Sequence, residues 1–356
     1  KGLNHEGGTT GETEDKVDTR VIDDAVADNS SGTAKGEMDT NTEGSLDALW
    51  RESASLSQQM SNQQRRSEAN LAKGLTAIDL FSGCGGNALA LRNEGYDVLA
   101  LVDSNPRCIR TLLANGFSNA LCQHVQQVDF TPFKGISLLT AGAPCQPWSI
   151  GGQGMGESDS RNLWHQIVRA IYEAKPTTFV LEMVRGFLRP RFRSTLNELL
   201  YELRSLNYCV TVEEVNTADY GLAQTRHRCL IVGRPMGARI LPPPQCNQMT
   251  VREALSGLGP PNGENRHTAE GQARSYQGHL PSVLDRPSKT IRAGSHGPGG
   301  GNNSIILDDG SVRYFTIREL ARLQGFPDSY HFDPVWSHAI KELGNACPPQ
   351  LLGPWI

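Results

Sequence analysis

Short apolar runs alternate with amphipathic segments through the middle of the chain. The apolar runs predict strands, and apolar positions that recur every three to four residues predict helices. The predicted strands are 75–81, 98–103, 136–141, 179–184, 208–215 and 230–233, and the predicted helices are 88–94, 106–114, 162–174 and 196–206. Strands that alternate with helices predict an α/β fold with a parallel, doubly wound sheet. Ligands of such a sheet bind beyond the carboxyl ends of its strands, so candidate chemistry is expected there.

The two ends of the chain differ from this middle part. The first 70 residues are polar and acidic without a sustained apolar period, so they are expected to be disordered. After Arg234, prolines and glycines interrupt the chain, which indicates a smaller, irregular domain. The expected divisions are 1–70 for an acidic tail, 71–234 for the first domain, 235–330 for the small domain and hinge, and 331–356 for a return to the first domain.

Two helices are expected within the small domain. Thr250 is followed three residues later by Glu253, and Thr316 is followed by Glu319 in the same way. This is the spacing of a capping box, in which the hydroxyl and the carboxylate satisfy free backbone amides of the first helical turn. Helices are therefore predicted to begin directly after both threonines.

Composition excludes several classes of protein. The 356 residues are 38% hydrophobic and 20% charged, which is typical of a globular protein. No run approaches the roughly 18 apolar residues of a membrane span, and the N-terminus has no secretion signal pattern. The 8 cysteines are scattered without a C-x-x-C pair. A disulfide framework or a metal site is therefore not expected, and a reducing compartment is favoured.

Charge is distributed unevenly along the chain. Residues 1–70 carry 14 acidic and 7 basic side chains, which leaves +3 on the remainder of a chain whose net charge is −4. A mildly basic body is compatible with a polyanionic partner, although a surplus this small does not identify one.

The first predicted strand leads into a glycine-rich turn over 79–86. Glycines let the backbone approach a ligand closely at the start of a helix. The spacing of Gly83, Gly85 and Ala88 fits a dinucleotide fingerprint, and Asp103 follows the second strand, where it can bind ribose hydroxyls. These residues alone favour NAD and S-adenosylmethionine equally, and a turn without a ligand stays an alternative.

A single cysteine stands out at the end of the strand 136–141. Cys145 lies between Pro144 and Pro147, whereas the other cysteines are expected to be small buried hydrophobes. Flanking prolines stiffen the backbone and present one thiol at the ligand edge, which suits a nucleophile. The glycine-rich segment 151–156 that follows can close over a substrate.

Further polar residues follow two later strands. Glu182 ends an apolar strand and is either an acid of the site or a structural, ion-paired residue. Gln224, Arg226 and Arg228 alternate along an extended segment and so share one face. That face suits an anionic or base-edge ligand, with a solvated strand edge as the alternative.

Taken in order, these motifs resemble those of the DNA cytosine-5 methyltransferase family, in particular the bacterial modification enzymes. The resemblance spans 75–349 and includes Pro-Cys-Gln at 144–146, Gln-x-Arg-x-Arg at 224–228, Arg-Pro-x-x-Thr-Ile at 286–291 and Gly344-Asn345. It implies a Rossmann-like S-adenosylmethionine-dependent methyltransferase sheet with a small target-recognition domain. One position departs from the family, which usually has Glu-Asn-Val where this chain has Glu-Met-Val at 182–184. Met183 takes the place of the Asn, and methionine cannot supply the hydrogen bonds that this Asn makes to the cysteine loop.

The resemblance implies methyl transfer from S-adenosylmethionine to C5 of cytosine in duplex DNA. Cys145 would attack C6 of a base flipped out of the helix, and Glu182 in its protonated form would bind the N3 edge. Arg226 and Arg228 resemble the arginines that hold the base oxygen and a flanking phosphate. On the substrate side the resemblance adds Ser149, Gln153 and Gln224.

The resemblance also implies a set of cofactor-binding residues. They are Phe81, Gly83, Gly85, Asp103, Asp129, Phe130, Pro144 and Asn345. In this set Asp129 would accept from the adenine amino group and Phe130 would pack on the ring. A helix cap is the rival role for Asp129. Base readers are expected among Arg266, His267, Arg274, Tyr276 and Gln277.

The expected partner is double-stranded DNA, with no membrane. A restriction endonuclease partner is allowed by the resemblance, a monomer is expected, and the location would be the bacterial cytoplasm and nucleoid or, in a eukaryote, the nucleus. Three alternatives stay open: methylation of cytosine in tRNA, a catalytically weak DNA-binding relative, and an NAD-linked dehydrogenase. The dehydrogenase explains the glycine turn but leaves Cys145, Glu182 and the two arginines without a role.

Overall fold

The structure is a computed structural model, and it describes residues 74–144, 163–238, 246–269, 271–273, 280–294 and 303–356. All predicted strands and most of each predicted helix fall within these ranges. Among the described residues, no helix has the length and apolar character needed to cross a membrane.

A seven-stranded sheet forms the centre of the molecule. Its strands are β1 (Thr76–Leu80), β2 (Asp97–Asp103), β3 (Ala120–Cys122), β4 (Leu138–Gly142), β5 (Thr178–Val184), β6 (Tyr208–Asn216) and β7 (His227–Pro235). They lie in the order β3-β2-β1-β4-β5-β7-β6. The chain leaves β1 for β2 on one side and returns to β4 on the other, so the strand order reverses between β1 and β4. The α/β prediction is confirmed, and the reversal marks the edge where ligands of such sheets bind.

Strand β7 runs against the predicted parallel arrangement. It pairs antiparallel with both β5 and β6. A parallel crossover needs a dozen or more residues, usually including a helix. Only 217–226 separate β6 from β7, and the regular structure there is one short 3₁₀ turn, Thr217–Tyr220. The connection therefore makes a hairpin.

Helices cover both faces of the sheet. They are α1 (Gly86–Asn93), α2 (Pro106–Ala114), α3 (Trp164–Ala174), α4 (Arg193–Ser205), α5 (Val251–Ala254), α6 (Ile317–Leu323), α7 (Trp336–Asn345) and α8 (Pro349–Leu352). Pro106 begins α2 where a missing amide hydrogen costs nothing, and the side chain of Asn105 caps it by accepting from the Arg107 amide. Alternate strand residues divide between the faces: Ile78 and Leu80 pack with α3 and α4, whereas Ala77 packs with α1 and α8.

The region after the sheet contains both predicted capping boxes. The hydroxyls of Thr250 and Thr316 accept from the amides of Glu253 and Glu319, whose carboxylates accept in return, and α5 and α6 begin there as predicted. A small sheet is formed by β8 (Ser282–Val283), β9 (Ser304–Ile306) and β10 (Val312–Tyr314).

One hydrophobic cluster joins this region to the sheet helices. It contains Leu89 of α1 and Leu112 of α2 together with Ile305, Leu320 and Leu343 from the later part of the chain. The described part of the small region thus shares a core with the first domain, and a boundary at 234 stays a prediction.

Candidate active site

A cavity of about 290 Å³ opens at the carboxyl ends of β1, β2, β4 and β5. Its lining includes many of the residues that the sequence singles out: Phe81, Gly83, Asp103, Pro144, Glu182, Arg226, Arg228 and Asn345. The predicted ligand edge of the sheet is therefore where these side chains meet. Gly85, Asp129, Phe130 and Gln224 are not part of this lining.

The turn after β1 shapes one end of the cavity. Phe81 has a φ of 58°, and Gly83 follows with a φ of 53°. A left-handed conformation is uncommon for a side chain such as that of phenylalanine, and such strain is concentrated at functional sites. The amide of Gly83 donates to Asp103 Oδ2 at 2.8 Å, and a Cβ on Gly83 would enter open space. Backbone and carboxylate at this end are thus exposed to a ligand.

The two glycines of the fingerprint have different roles. Gly85 caps α1 in a left-handed conformation with a φ of 92°, and a Cβ there would lie 2.5 Å from the Tyr330 hydroxyl. That hydroxyl donates to the carbonyl of Cys84 at 2.6 Å. Gly85 therefore lets Tyr330 pack closely against the turn, and its expected ligand role stays a prediction.

A buried acid lies under the turn. Asp79 Oδ1 accepts from Asn87 Nδ2 at 3.0 Å and from Thr140 Oγ1 at 2.6 Å. Complete burial raises the pKa of Asp79 to about 6, although both hydrogen bonds favour the charged form. The signal for this group in the sequence is a single acid within an otherwise apolar strand.

Glu182 and Arg228 form an ion pair at the cavity wall. Glu182 Oε1 lies 2.5 Å from Arg228 Nε, and their side chains are 11% and 10% exposed. The antiparallel register places Glu182 opposite Leu230, so Arg228 is its diagonal neighbour on the same face of the sheet. The structure thus brings the two predicted residues together. Glu182 is ion-paired and also lines the cavity.

Arg226 is used differently from Arg228. Its side chain is only 1% exposed. It donates to three backbone carbonyls, those of Ile291 at 3.1 Å, Gly344 at 2.9 Å and Ala346 at 3.0 Å. Arg226 lines the cavity, and its guanidinium donates to the protein backbone in this structure. The expected contact with a base oxygen or phosphate stays a prediction.

The side chain of Gln224 also makes its hydrogen bonds inside the protein. It is fully buried, donates to Leu323 O at 3.1 Å and Gln324 Oε1 at 2.6 Å, and accepts from the Ile291 amide at 3.0 Å. In this structure the amide of Gln224 holds the C-terminal region, and its predicted role toward DNA stays a prediction. Two of the three residues on the shared face, Gln224 and Arg226, contact the later part of the chain. The third, Arg228, pairs with Glu182.

The two residues expected at the adenine lie apart from the cavity. Phe130 has no exposed surface, and its ring packs in the core with the Arg169 guanidinium 5.2 Å from its centroid. It cannot stack on a ligand in this arrangement. Asp129 is exposed, and its Oδ1 accepts from the amide and hydroxyl of Thr131 at 3.0 and 2.7 Å. These are local bonds to the residue two positions on. The helix cap considered as the rival role is not formed, because Phe130 is the N-cap of the following 3₁₀ turn and makes no side-chain cap.

Other expected residues are either outside the described ranges or buried. Cys145, Ser149 and Gln153 lie outside the described residues, as do Arg274, Tyr276 and Gln277. His267 is 2% exposed, and its ring nitrogens contact the Thr316 hydroxyl and the Gly259 carbonyl. Arg266 donates to the carbonyls of Asp333 and Pro334. Both side chains make hydrogen bonds inside the protein in this structure, and their role as base readers stays a prediction.

Met183 lies on the opposite face of β5 from Glu182. It is 1% exposed and belongs to the core cluster that packs with α3 and α4. The methionine is therefore accommodated as a core side chain, and its departure from the family pattern leaves the Glu182–Arg228 pair intact.

The far wall of the cavity comes from α7, a contribution that the sequence indicated only through Asn345. His338, Lys341 and Glu342 line it. Glu342 is buried, accepts from the Thr111 hydroxyl at 2.8 Å and from the Asp333 amide at 3.4 Å, and has its pKa raised to about 7, chiefly by burial. In the sequence, Glu342 could have been identified as a site residue because it lies two positions before Gly344-Asn345.

Glu342 gives the stability of the protein a defined pH dependence. The pKa rises from 4.5 unfolded to about 7 folded, so the folded state holds a proton that the unfolded chain releases. This contribution is complete below pH 4.5 and is lost as the pH rises through 7. It amounts to at most about 3 kcal/mol. Asp79 acts in the same direction.

Urea unfolding between pH 5 and 8 checks this expectation. The free energy of unfolding of the wild type should fall more over this range than that of Glu342→Gln, by about 2 kcal/mol. Equal falls for the two proteins would show that Glu342 does not titrate with a raised pKa.

The sequence matches a known protein family and several characterised relatives. Residues 75–249 and 261–353 match the family described as C-5 cytosine-specific DNA methylase. Type II methyltransferase M.NgoMIV of Neisseria gonorrhoeae is 30% identical over 292 residues, covering 77% of this chain and 93% of that protein. Type II methyltransferase M.AplI of Arthrospira platensis is 27% identical over 329 residues, covering 82% and 87%.

Solved structures share the fold. The S. pombe Dnmt2 methyltransferase has a TM-score of 0.62 at 19% identity, covering 78% of this chain and 96% of its own. A DNA modification methyltransferase encoded within an E. coli prophage has a TM-score of 0.59 at 22% identity, again covering 78% and 96%. At these identities the likeness is one of fold alone.

Proposed function

The chain belongs to the C-5 cytosine-specific DNA methylase family, and from that premise we propose that it methylates C5 of cytosine in duplex DNA through a covalent adduct between Cys145 and C6 of a flipped base. Transfer of a methyl group to cytosine in DNA is the activity of the family. The adduct, the flipping of the base and the roles of individual residues are the proposed part.

The observation that carries the proposal is the Glu182–Arg228 pair. A carboxylate and a guanidinium lie side by side, both largely buried, on a cavity wall at the carboxyl end of β5. Arg228 Nε lies beside Glu182 Oε1, and on this proposal Oε2 takes the N3 edge of a cytosine. Glu182 delivers a proton to N3 as a nucleophile attacks C6, and Arg228 holds the carboxyl in place and faces the base oxygen.

Cys145 supplies the nucleophile. It follows Pro144, which lines the same cavity as Glu182. Its thiolate bonds to C6, and the electrons of the C5–C6 double bond make C5 nucleophilic. After C5 has accepted the methyl group, loss of the C5 proton re-forms the double bond and expels the thiolate.

Base flipping follows from the burial of the pair. Glu182 is 8% exposed within the cavity, and a cytosine stacked in duplex DNA cannot bring its N3 edge to such a group. Enzymes that act on a base in a duplex extrude it into a pocket of this kind. Target recognition belongs, on this proposal, to the region of about 235–285.

The cavity residues suit S-adenosylmethionine, the methyl donor that the family implies. Asp103 ends β2 beside the open side of Gly83, where a carboxylate can accept from ribose hydroxyls. Asn345 lies across the cavity. When bound, the cofactor supplies an electrophilic methyl group. Phe81, Gly83, Asp103, Pro144 and Asn345 hold it, whereas Phe130 would have to leave the core to take part.

Trapping on modified DNA tests the proposal. The protein is incubated with S-adenosylmethionine and a duplex containing 5-fluorocytosine within a methylated target, mapped first by bisulfite sequencing of DNA from expressing cells. Fluorine cannot leave C5 as a cation, so the adduct should persist through denaturation. Methyl transfer to unmodified duplex without any trapped adduct would overturn the covalent route, and labelled methyl incorporated only into tRNA would overturn the DNA substrate.

A further inference from the structure

Three buried polar side chains meet behind the cavity. Gln224 and Gln324 are fully buried and Arg226 is 1% exposed. The two amides bond directly, Gln224 Nε2 donating to Gln324 Oε1 at 2.6 Å. Burying polar groups of this size costs free energy unless their hydrogen bonds are made. The hydrogen-bond partners of the three side chains therefore indicate which part of the structure they stabilise.

Those partners lie at the C-terminal end of α7. Gln324 Nε2 donates to the carbonyl of Ala346 at 2.7 Å. Arg226 donates to the same carbonyl and to that of Gly344. The last carbonyls of a helix have no partner within the helix, and a cation there also complements the helix dipole. The amide and the guanidinium therefore cap α7 from outside.

This end of α7 is the part that reaches the cofactor cavity. Gly344, Asn345, Ala346 and Cys347 all line it. The segment has little freedom to move, because a Cβ on Gly344 would overlap the backbone of Ala293 and a Cβ on Gly86 would overlap the Cys347 carbonyl. A shift of the Ala346 carbonyl is thus passed on to Asn345 and to the wall facing the glycine turn.

We propose that Gln324 is a positioning residue for cofactor binding: by capping α7 through the Ala346 carbonyl, it sets the place of Asn345 in the cavity. The inference rests on the proposed function, since it requires that the methyl donor binds in this cavity. Gln324 is not itself a lining residue of the cavity, and it contacts the lining through the Ala346 carbonyl. Its effect is exerted through the helix end, and Arg226 keeps that end attached when Gln324 is changed.

The variant Gln324→Glu separates positioning from folding. Glutamate keeps an oxygen for Gln224 Nε2 but places a second oxygen against the Ala346 carbonyl, so the cap is lost while the carboxyl is charged. Protonation restores a donor at that atom. Affinity for S-adenosylhomocysteine should therefore recover as the pH falls, which a merely destabilised protein would not show.

Isothermal titration of the full chain with S-adenosylhomocysteine gives the readout. For Gln324→Ala and for Gln324→Glu at pH 8, Kd should rise about tenfold, equivalent to about 1.4 kcal/mol. For Gln324→Glu, the ratio of its Kd to the wild-type Kd should fall toward one at pH 6. Taking the ratio at each pH removes the contribution of Glu342, which lines the cavity and titrates in this range in both proteins. Gln350→Ala is the matched control, because this exposed glutamine donates to Gly325 at 3.0 Å without contacting Ala346.

The outcomes are distinct. Wild-type affinity in both Gln324 variants, or an equal loss in Gln350→Ala, would overturn the positioning role. A pH-independent loss in Gln324→Glu would do the same, because it would indicate general disturbance of the fold. Wild-type protein that fails to bind S-adenosylhomocysteine would instead contradict the proposed cofactor site itself.

Discussion

Replacing Cys145 by serine should lower the rate of methyl transfer by on the order of 10⁴-fold or more, the scale expected when a covalent nucleophile is removed. A serine hydroxyl is hardly ionised near neutral pH, whereas a thiolate is accessible and strongly nucleophilic. The affinities for S-adenosylhomocysteine and for duplex DNA should be retained, because the substitution replaces only the sulfur atom by oxygen and leaves the cavity unchanged. Single-turnover transfer of labelled methyl to DNA measures the effect.

Cys246→Ser is the matched control for this substitution. Cys246 is an exposed free cysteine and is not part of the cavity lining, so this variant should transfer methyl at the wild-type rate and still be trapped by 5-fluorocytosine. Cys145→Ser should give no trapped adduct. Transfer that persists in Cys145→Ser would contradict the covalent route, whatever the fate of the control.

The sheet could be predicted wherever local signals and topology agree. The helix predicted at 106–114 is observed as Pro106–Ala114, because Asn105 and Pro106 define its start. The direction of β7 could not be obtained in the same way. A run of apolar residues gives a strand but not its orientation, and only the shortness of the 217–226 connection argued for a hairpin.

The position of a predicted residue at the cavity could be anticipated where its side chain lies at the end of a strand, and less where it precedes one. Asp103 and Glu182 follow apolar strands, so the ligand edge of the sheet positions them. Gln224 and Arg226 precede β7, and their partners, such as Ile291 and Ala346, are more than 60 residues away in the chain. No local sequence pattern distinguishes an arginine that binds a ligand from one that caps a helix far away in the chain.

Phe130 shows the same limit in a core residue. The family resemblance gives it a cofactor role, but the Arg169–Glu173 pair on α3 holds its loop against the core: Glu173 accepts from the Phe130 amide at 3.0 Å and Arg169 donates to the Val128 carbonyl. These contacts depend on the packing of α3, which a motif within the loop does not encode.

Arg228→Ala should lower kcat by on the order of 10²–10³-fold, with little change in the affinity for S-adenosylhomocysteine. Removing the guanidinium leaves Glu182 without the group that orients it, and takes away a donor that faces the base. Combining Arg228→Ala with Glu182→Gln should cost much less than the two single losses together, because both act on the same proton transfer. Single-turnover rates and cofactor titrations of the four proteins measure this.

Arg226→Ala, two residues away, should give the opposite result. Its guanidinium satisfies three backbone carbonyls, so its loss should lower the free energy of unfolding by about 3 kcal/mol or more. Arg228 makes one such bond, to His227, and its alanine variant should lose less stability than rate. If instead Arg228→Ala loses stability and keeps its rate, the pair with Glu182 is a structural ion pair, and the proton donor to the base must be sought elsewhere in the cavity.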